Sequence, residues 1–297
     1  FKSKIMKAFI FPGQGSQFTG MGLELYNSNE SAKQMFEKAN SVLNFDITKL
    51  MFEGSDEDLK KTNVTQPAIF IHSVILANCM TNFEPDMVAG HSLGEFSAIT
   101  AAKVISFKDG LNLVVQRANA MHKACEENKS TMAAVIGLES KLVEQICENQ
   151  NGVVVTANYN SPNQIVISGQ LNSVEKTCEV LKDHGAKRAI ILPVGGAFHS
   201  PLMESAKKNL ETAVSQIEFR KPICPVYQNV NAIGENNPII IKKNIISQLV
   251  KPVMWYQTIQ NMINDGADSF VEVGPGNVLT GLNKRINRNI SSSKALI

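Results

Sequence analysis

No stretch of the chain comes near the ~18 consecutive apolar residues that a membrane-spanning helix requires. The first apolar run, Ala8-Phe9-Ile10-Phe11, is also too short for the core of a secretory signal. No membrane partner is therefore expected. Cysteine is scarce: Cys79, Cys125, Cys147, Cys178 and Cys224 are odd in number and widely spaced, with no C-x-x-C and no Cys/His pair at zinc spacing. That excludes a disulfide scaffold and a structural metal site and fits a reducing, intracellular compartment. A surplus of one charge is missing too. With 29 Lys and Arg against 27 Asp and Glu the formal charge is +2, far from the basic excess with which a nucleic-acid binder neutralises phosphates. No nucleic-acid partner is expected.

What the chain does have is material for a core. Apolar residues make up 43% of its 297 residues and charged residues 19%, enough to offset the entropy of ordering the chain and to exclude a disordered protein. At roughly 150 residues per domain the length suggests about two domains. Met6 is the first residue that could start translation, so residues 1–5 are expected to be an appended segment or the end of a trimmed leader.

Up to about residue 125, strand and helix signals alternate. Lys7–Phe11 reads as a strand that ends in the tight turn Pro12-Gly13-Gln14-Gly15. Gln66–Met80, with Pro67 near its start, reads as a buried helix, Met87–Ala89 as a short buried strand, and the stretch from Leu93 as a helix. Ser106-Phe107-Lys108-Asp109 has the S-x-x-D form of a capping box. It opens a helix that aligns Leu111, Val114, Val115, Ala118, Met121 and Cys125 on one stripe. Such alternation predicts a mainly parallel sheet.

Between residues 129 and 195 the order changes. Met132–Ile136, Val153–Ala157, Gln164–Ser168 and Arg188–Leu192 read as strands. Ser140–Asn149 and Asn172–His184 read as helices, the second stopped by Gly185. The order β-α-β-β-α-β is the split βαβ, or ferredoxin-like, arrangement. The prediction is an α/β fold in which residues 6–128 and 196–297 form one large domain and residues 129–195 a small inserted subdomain.

Gly90-His91-Ser92-Leu93-Gly94 matches G-x-S-x-G, the nucleophile elbow, and stands between a predicted strand and a predicted helix as that turn requires. The turn would expose Ser92 Oγ and aim free helical N–H groups at any oxyanion formed there. Serine needs a base. His91 adjoins Ser92 too closely in a sharp turn, His72 lies in an apolar helix, His122 sits on the helix opened by Ser106, and His184 falls in a last helical turn. His199, in the glycine-rich loop Gly195-Gly196-Ala197-Phe198-His199-Ser200-Pro201, remains. No acid presents itself to orient it, because Asp109, Glu139, Glu144 and Asp183 all lie in the capping box or in helices; a neutral group is expected instead. Arg117 lies at the edge of a buried helical face, as a snorkelling side chain or as a planar fork for a substrate carboxylate. Gly13-Gln14-Gly15 could add a backbone N–H to an oxyanion hole, but it fits neither nucleotide-loop pattern. Gly274-Pro275-Gly276 reads as a structural turn after a strand.

Taken in order, Phe11-Pro12-Gly13-Gln14-Gly15-Ser16-Gln17, Thr65-Gln66-Pro67-Ala68, Gly90-His91-Ser92-Leu93-Gly94-Glu95, Gln116-Arg117, Asn158-Tyr159-Asn160-Ser161-Pro162, Gly196-Ala197-Phe198-His199-Ser200 and Glu272-Val273-Gly274-Pro275-Gly276 resemble one family. It is the malonyl-CoA:acyl-carrier-protein transacylases of type II fatty acid synthesis, and the resemblance runs from about Lys7 to Arg285. It implies a hydrolase-like large domain with a ferredoxin-like insert, and a ping-pong transfer of malonyl from malonyl-CoA to the phosphopantetheine thiol of acyl carrier protein. Ser92 would carry the acyl group as an ester and His199 would act as general base and then acid. The backbone N–H groups of Gln14 and Leu93 would form the oxyanion hole, and the backbone carbonyl of Gln248 would orient the histidine. Arg117 would bind the free malonyl carboxylate, with Phe198, Asn160 and Gln66 as further substrate contacts. Phe198 beside His199 fits the malonyl-selective form of the motif. Met254 before Trp255 departs from some members at a position without a catalytic role.

The same resemblance implies no cofactor and no metal, since malonyl-CoA is a substrate and phosphopantetheine belongs to the carrier. A cytoplasmic monomer is expected, with an organellar stroma as the other compartment the first residues leave open. Beyond Glu272 the chain has no acids but carries Lys284, Arg285, Arg288 and Lys294, a basic tail suited to docking an acidic carrier. Two other readings stand beside this one. A serine esterase or thioesterase would use the same elbow and have no need of Arg117. A carrier-binding module without activity would have no need of Ser92, His199 and Arg117 together.

Overall fold

The structure, a computed structural model, describes residues 5–296, so the expectation for residues 1–5 lies almost wholly outside it. Ten strands form two separate sheets: β1 (Lys7–Phe11), β2 (Met87–Gly90), β3 (Ser130–Ile136), β4 (Val154–Ser161), β5 (Gln164–Gln170), β6 (Arg188–Ile191), β7 (Val226–Tyr227), β8 (Gly234–Glu235), β9 (Ser269–Glu272) and β10 (Ser291–Lys294). The larger sheet runs β10-β9-β1-β2-β7-β8. Its neighbours pair in parallel except for the short β7–β8 hairpin. β1 and β2 lie at its centre, and Ala8–Phe11 and Met87–Gly90 are buried without interruption. Unbroken apolar runs of this kind belong to strands covered on both faces. The mainly parallel α/β fold read from the sequence is the one observed.

The smaller sheet is antiparallel, in the order β4-β5-β3-β6. Helices Ser140–Glu148 and Leu171–Asp183 join its strands in the order strand, helix, two strands, helix, strand. Val143, Ile146, Val174 and Leu181 on those helices share a separate core with Ala133, Val135, Ile165 and Ile167 of the sheet. Among the described residues, one point of backbone hydrogen bonding ties this unit to the remainder of the chain. Tyr159 N donates to Val253 O at 2.9 Å and Val253 N donates to Ala157 O at 2.8 Å, which joins β4 to the segment between Gln248 and Trp255.

Two helical features differ from expectation. The helix read as Gln66–Met80 spans Thr62–Cys79, with Pro67 in its second turn. Its first turn is held without the proline N–H: Val64 N and Thr65 N both donate to Lys61 O at 2.8 Å, and the Thr65 hydroxyl donates to the same oxygen at 3.0 Å. Between β1 and that helix the chain forms four helices that the sequence pattern did not resolve: Leu23–Ser28, Glu30–Leu43, Ile47–Glu53 and Asp56–Lys60. The capping box is present as read. Ser106 Oγ accepts from Asp109 N at 3.1 Å and donates to Asp109 Oδ2 at 2.6 Å, opening helix Phe107–Glu127, which buries Leu111, Val114, Ala118 and Met121 and carries Arg117.

Candidate active site

The turn after β2 has the geometry of an elbow. Ser92 holds φ at 52°, in the left-handed region, and helix Gly94–Ala101 follows directly. Both flanking glycines are required by close approach. A methyl group at Gly90 would sit 1.9 Å from the Gly94 carbonyl carbon, and one at Gly94 would sit 2.0 Å from the Phe11 carbonyl oxygen. The strand, turn and helix therefore pack backbone against backbone, and Ser92 is held out at the C-terminal end of the central strands, where open α/β sheets bind ligands.

Ser92 Oγ lies 2.7 Å from His199 Nε2. The other ring nitrogen, Nδ1, donates to the backbone carbonyl of Gln248 at 2.8 Å, which leaves Nε2 as the acceptor for the serine proton. His199 itself holds φ at 57°, so the glycine-rich loop presents the imidazole from a tight bend. Burial, and after it the charge of Arg117, push the His199 pKa down from 6.5 to about 3, which keeps the ring neutral and able to accept a proton. No carboxylate is needed to fix the tautomer. The four acids considered in the sequence stay with their helices: Asp109 in the capping box and Glu144 accepting from Tyr159, for example.

Arg117 does not snorkel; it is 1% exposed. Nη1 donates to Gln66 Oε1 at 2.7 Å, and Nη2 donates to both Gln248 Oε1 and Ser92 Oγ at 3.1 Å. The guanidinium faces the Phe96 ring at 5.5 Å, and buried Nε has no hydrogen-bond partner. Among the described residues no carboxylate forms an ion pair with it. Burial lowers its pKa to about 10, against the opposing effect of Glu95. A buried cation whose direct partners are all neutral is a site prepared for an anion, and this one touches Ser92 Oγ.

A cavity of about 650 Å³ opens over these groups, lined among others by Gln14, Leu93, Asn160, Phe198, Ser92 and His199. Its walls combine the turns that follow β1 and β2 with the face of the smaller sheet, from which Met132 of β3 and Val166 of β5 line it as well. Among the described residues neither Gln14 N nor Leu93 N donates to another protein group, so both are free for an incoming oxygen. Asn160 Oδ1 meets His91 Nε2 at 2.8 Å. Gln66 is fully buried and does not line the cavity; its Oε1 accepts from Arg117 and its Nε2 donates to Met121 Sδ at 3.5 Å, both partners being cavity residues. Gln164 of the cavity wall accepts at Oε1 from Arg285 Nη1 at 2.5 Å. Glu272, read with the structural turn, caps helix Val278–Ile286 by accepting from Leu279 N and Thr280 N at 3.0 and 2.8 Å.

Two residues of the site escaped the sequence reading. Asn229 Oδ1 accepts from Ser92 N at 2.7 Å and its Nδ2 donates to Gly90 O at 2.6 Å, which braces the elbow from a loop far along the chain. Glu95, quoted only as the last letter of a motif, is buried beside Gln248 and Asn229. Its place three residues after Ser92, on a helix otherwise apolar at its start, is the signal that could have singled it out. No helix among the described residues is long and apolar enough to cross a membrane.

Residues 8–295 match the acyl transferase domain family. The chain is 41% identical over 286 residues to the malonyl CoA-acyl carrier protein transacylase of Staphylococcus aureus, covering 95% of this chain and 93% of that protein. Among solved structures, the malonyl CoA-acyl carrier protein transacylase of Coxiella burnetii superposes with a TM-score of 0.95 at 38% identity, covering 98% of this chain and 93% of that one. A malonyl-transacylase solved in complex with its type II polyketide acyl-carrier protein superposes with a TM-score of 0.94 at 37% identity, covering 98% and 96%. With a serine hydrogen-bonded to a histidine and a buried arginine in one cavity, and likeness along nearly its whole length, the chain belongs to the malonyl-CoA:acyl-carrier-protein transacylase family of acyl transferases.

Proposed function

We propose that the protein transfers malonyl from malonyl-CoA to the phosphopantetheine thiol of an acyl carrier protein, through a malonyl ester on Ser92. The observation that carries this reading is the contact of Arg117 with Ser92 Oγ at 3.1 Å. A carboxylate two bonds beyond the ester carbonyl can reach a fork placed there, whereas a neutral acyl group leaves the buried cation unpaired. Ser92 attacks the thioester carbon as His199 Nε2 takes its proton, and the tetrahedral oxyanion is received by the N–H groups of Gln14 and Leu93. The protonated His199 then gives its proton to the departing CoA sulfur. In the second half the carrier thiol gives its proton to His199 and attacks the ester carbon, the ester C–O bond breaks, and His199 returns the proton to the departing Ser92 Oγ. Gln248 O holds the ring throughout. Phe198 and Asn160 shape the acyl cavity, and Gln66 acts as the outer support of Arg117.

The chemistry asks only for a nucleophile, a base, hydrogen-bond donors and a cation, so no bound cofactor or metal is invoked. All these groups come from one chain, which supports action as a monomer, and its five free cysteines suit the reducing cytoplasm. The strand order of the small sheet supports reading residues 129–195 as a ferredoxin-like insert in a hydrolase-like domain formed by residues 6–128 and 196–297. Intact-protein mass spectrometry after mixing with malonyl-CoA is the test. A malonyl adduct that is lost on adding carrier protein and is absent in Ser92→Ala is expected. Rapid release of free malonate with no adduct would instead favour the hydrolase.

A further inference from the structure

A fully buried carboxylate lies behind the site and has no part in the chemistry above. Glu95, 0% exposed, accepts from Gln228 Nε2 at 2.9 Å, Asn229 N at 3.0 Å and Gln248 Nε2 at 2.8 Å. All three partners are N–H donors. An ionised carboxylate only accepts, so this surrounding is built for the charged form, although burial raises the Glu95 pKa.

Gln248 carries the influence of that charge into the site. Its amide nitrogen donates to Glu95 Oε2 and, at 3.0 Å, to the Ser92 carbonyl, which occupies both hydrogens. The amide oxygen is thereby turned toward Arg117 Nη2. The main-chain carbonyl of the same residue accepts from His199 Nδ1. One residue thus aims the arginine with its side chain and the histidine with its backbone. Asn229, the second partner of Glu95, braces the elbow on either side of His91 through Ser92 N and Gly90 O.

We infer that Glu95 is a positioning residue for acyl selectivity: by fixing which end of the Gln248 amide faces Arg117, it holds the guanidinium in place for the acyl carboxylate. The inference rests on the malonyl-transfer reading and adds a residue that reading does not use. An uncharged glutamine at position 95 would set one of its own N–H groups against one of three donors. Oε2 serves Asn229 N and Gln248 Nε2 while Oε1 serves Gln228 Nε2, so in either placement the Gln248 amide loses its charged acceptor; once released it can turn an NH2 group onto Arg117, and two donors facing each other in a buried site move apart.

The test compares Glu95→Gln and Gln248→Leu with the wild type. The leucine variant keeps the carbonyl that holds His199 and removes the amide. Rates of Ser92 acylation are read by rapid-quench intact mass with malonyl-CoA and with acetyl-CoA. In both variants malonyl acylation is expected to fall roughly tenfold further than acetyl acylation, since misplacing a binding group by about 1 Å is worth up to about a hundredfold in rate. A purely structural role lowers both rates by one common factor. An unchanged malonyl-to-acetyl ratio in either soluble variant overturns the inference, as does failure of both variants to fold. Absence of any malonyl ester on the wild type would sink the functional reading and take this inference with it. Wild-type malonylation with unaltered variant ratios removes only the role of Glu95.

Discussion

His199 Nδ1 is held at 2.8 Å by the carbonyl oxygen of Gln248, a dipole and not a charge. The contact fixes the orientation and tautomer of the ring, but an imidazolium formed there would gain less stabilisation from a neutral acceptor than from a carboxylate. With Arg117 adding positive potential nearby, the base stays weak in the free site. On the proposed reading, an acyl carboxylate bound at Arg117 would offset that potential, and the substrate would bring the negative charge that no side chain supplies to His199.

Arg117→Ala is expected to lower malonyl transfer roughly a hundredfold, within the 2–5 kcal/mol typical of truncating a buried hydrogen-bonded charge. Acetyl transfer should be maintained or improve, because no carboxylate has to be met. Steady-state kcat/KM for the two thioesters decides the matter, and an equal fall in both would refute the carboxylate clamp.

The low pKa of His199 predicts where acid begins to matter. The base is lost only when Nε2 takes a proton, and with a pKa near 3 in place of 6.5 the Ser92 acylation rate should stay level down to about pH 5. Arg117→Ala removes one cause of the depression, so its acid limb, followed with acetyl-CoA, should move to higher pH. An acid limb near 6.5 in the wild type would show the imidazole to be less shielded than its surroundings indicate.

Stability carries the same sign. Burial lowers the pKa of His199 to about 3 and of His72, with Lys294 contributing, to about 4, and it also lowers that of His91. Unfolded, each ring takes its proton near 6.5. Below that value the unfolded chain binds more protons than the folded one. Folding stability is therefore complete above ~6.5 and declines as pH falls toward the folded values. Urea midpoints measured from about pH 7.5 to about pH 5 should decrease steadily, and a flat series would contradict neutral rings at buried His72 and His199 and half-buried His91.

The elbow glycines make a mechanical prediction. Gly94→Ala places a methyl group 2.0 Å from the Phe11 carbonyl oxygen, where only backbone movement can relieve it. A loss of about 3 kcal/mol is expected, the upper range for forcing volume into a packed interior. Denaturant unfolding measures it, and a loss below about 1 kcal/mol would mean that strand and helix separate more easily than their contact suggests.

The basic tail is tested by charge. Lys284 and Arg285 close helix Val278–Ile286, and Arg285 reaches Gln164 at the cavity wall. Reversal of both charges should raise the KM for carrier protein severalfold and flatten its salt dependence, with malonyl-CoA acylation unaffected. Unchanged carrier kinetics would place the docking surface elsewhere.

How far the sequence could be read follows from the range of each interaction. Ser92 was legible because its demands are local: two glycines at fixed spacing, an apolar strand before them and a helix after. The β3–β6 unit was legible because its β-branched runs and helical stretches keep their periods without interruption. His199 came from elimination and a glycine-rich loop, and Gln248 from family likeness alone. Asn229 and Glu95 were not legible, because their meaning lies in contacts between residues well over a hundred positions apart, and no spacing rule encodes those. The helix entry at Thr62 was misplaced for a different reason: Pro67 signals a first turn, but hydrogen bonds to Lys61 sustain helix ahead of it.

The stitch between β4 and Val253 has a consequence for how this site can change. Asn160, on the cavity wall, and Gln248, whose carbonyl anchors the His199 ring, stand on either side of the paired backbones of Tyr159 and Val253. Room for a bulkier acyl group cannot be made by swinging the small sheet outward without dragging on the imidazole. New substrate scope must come from trimming side chains inside the cavity, residue by residue, with the frame left as it stands.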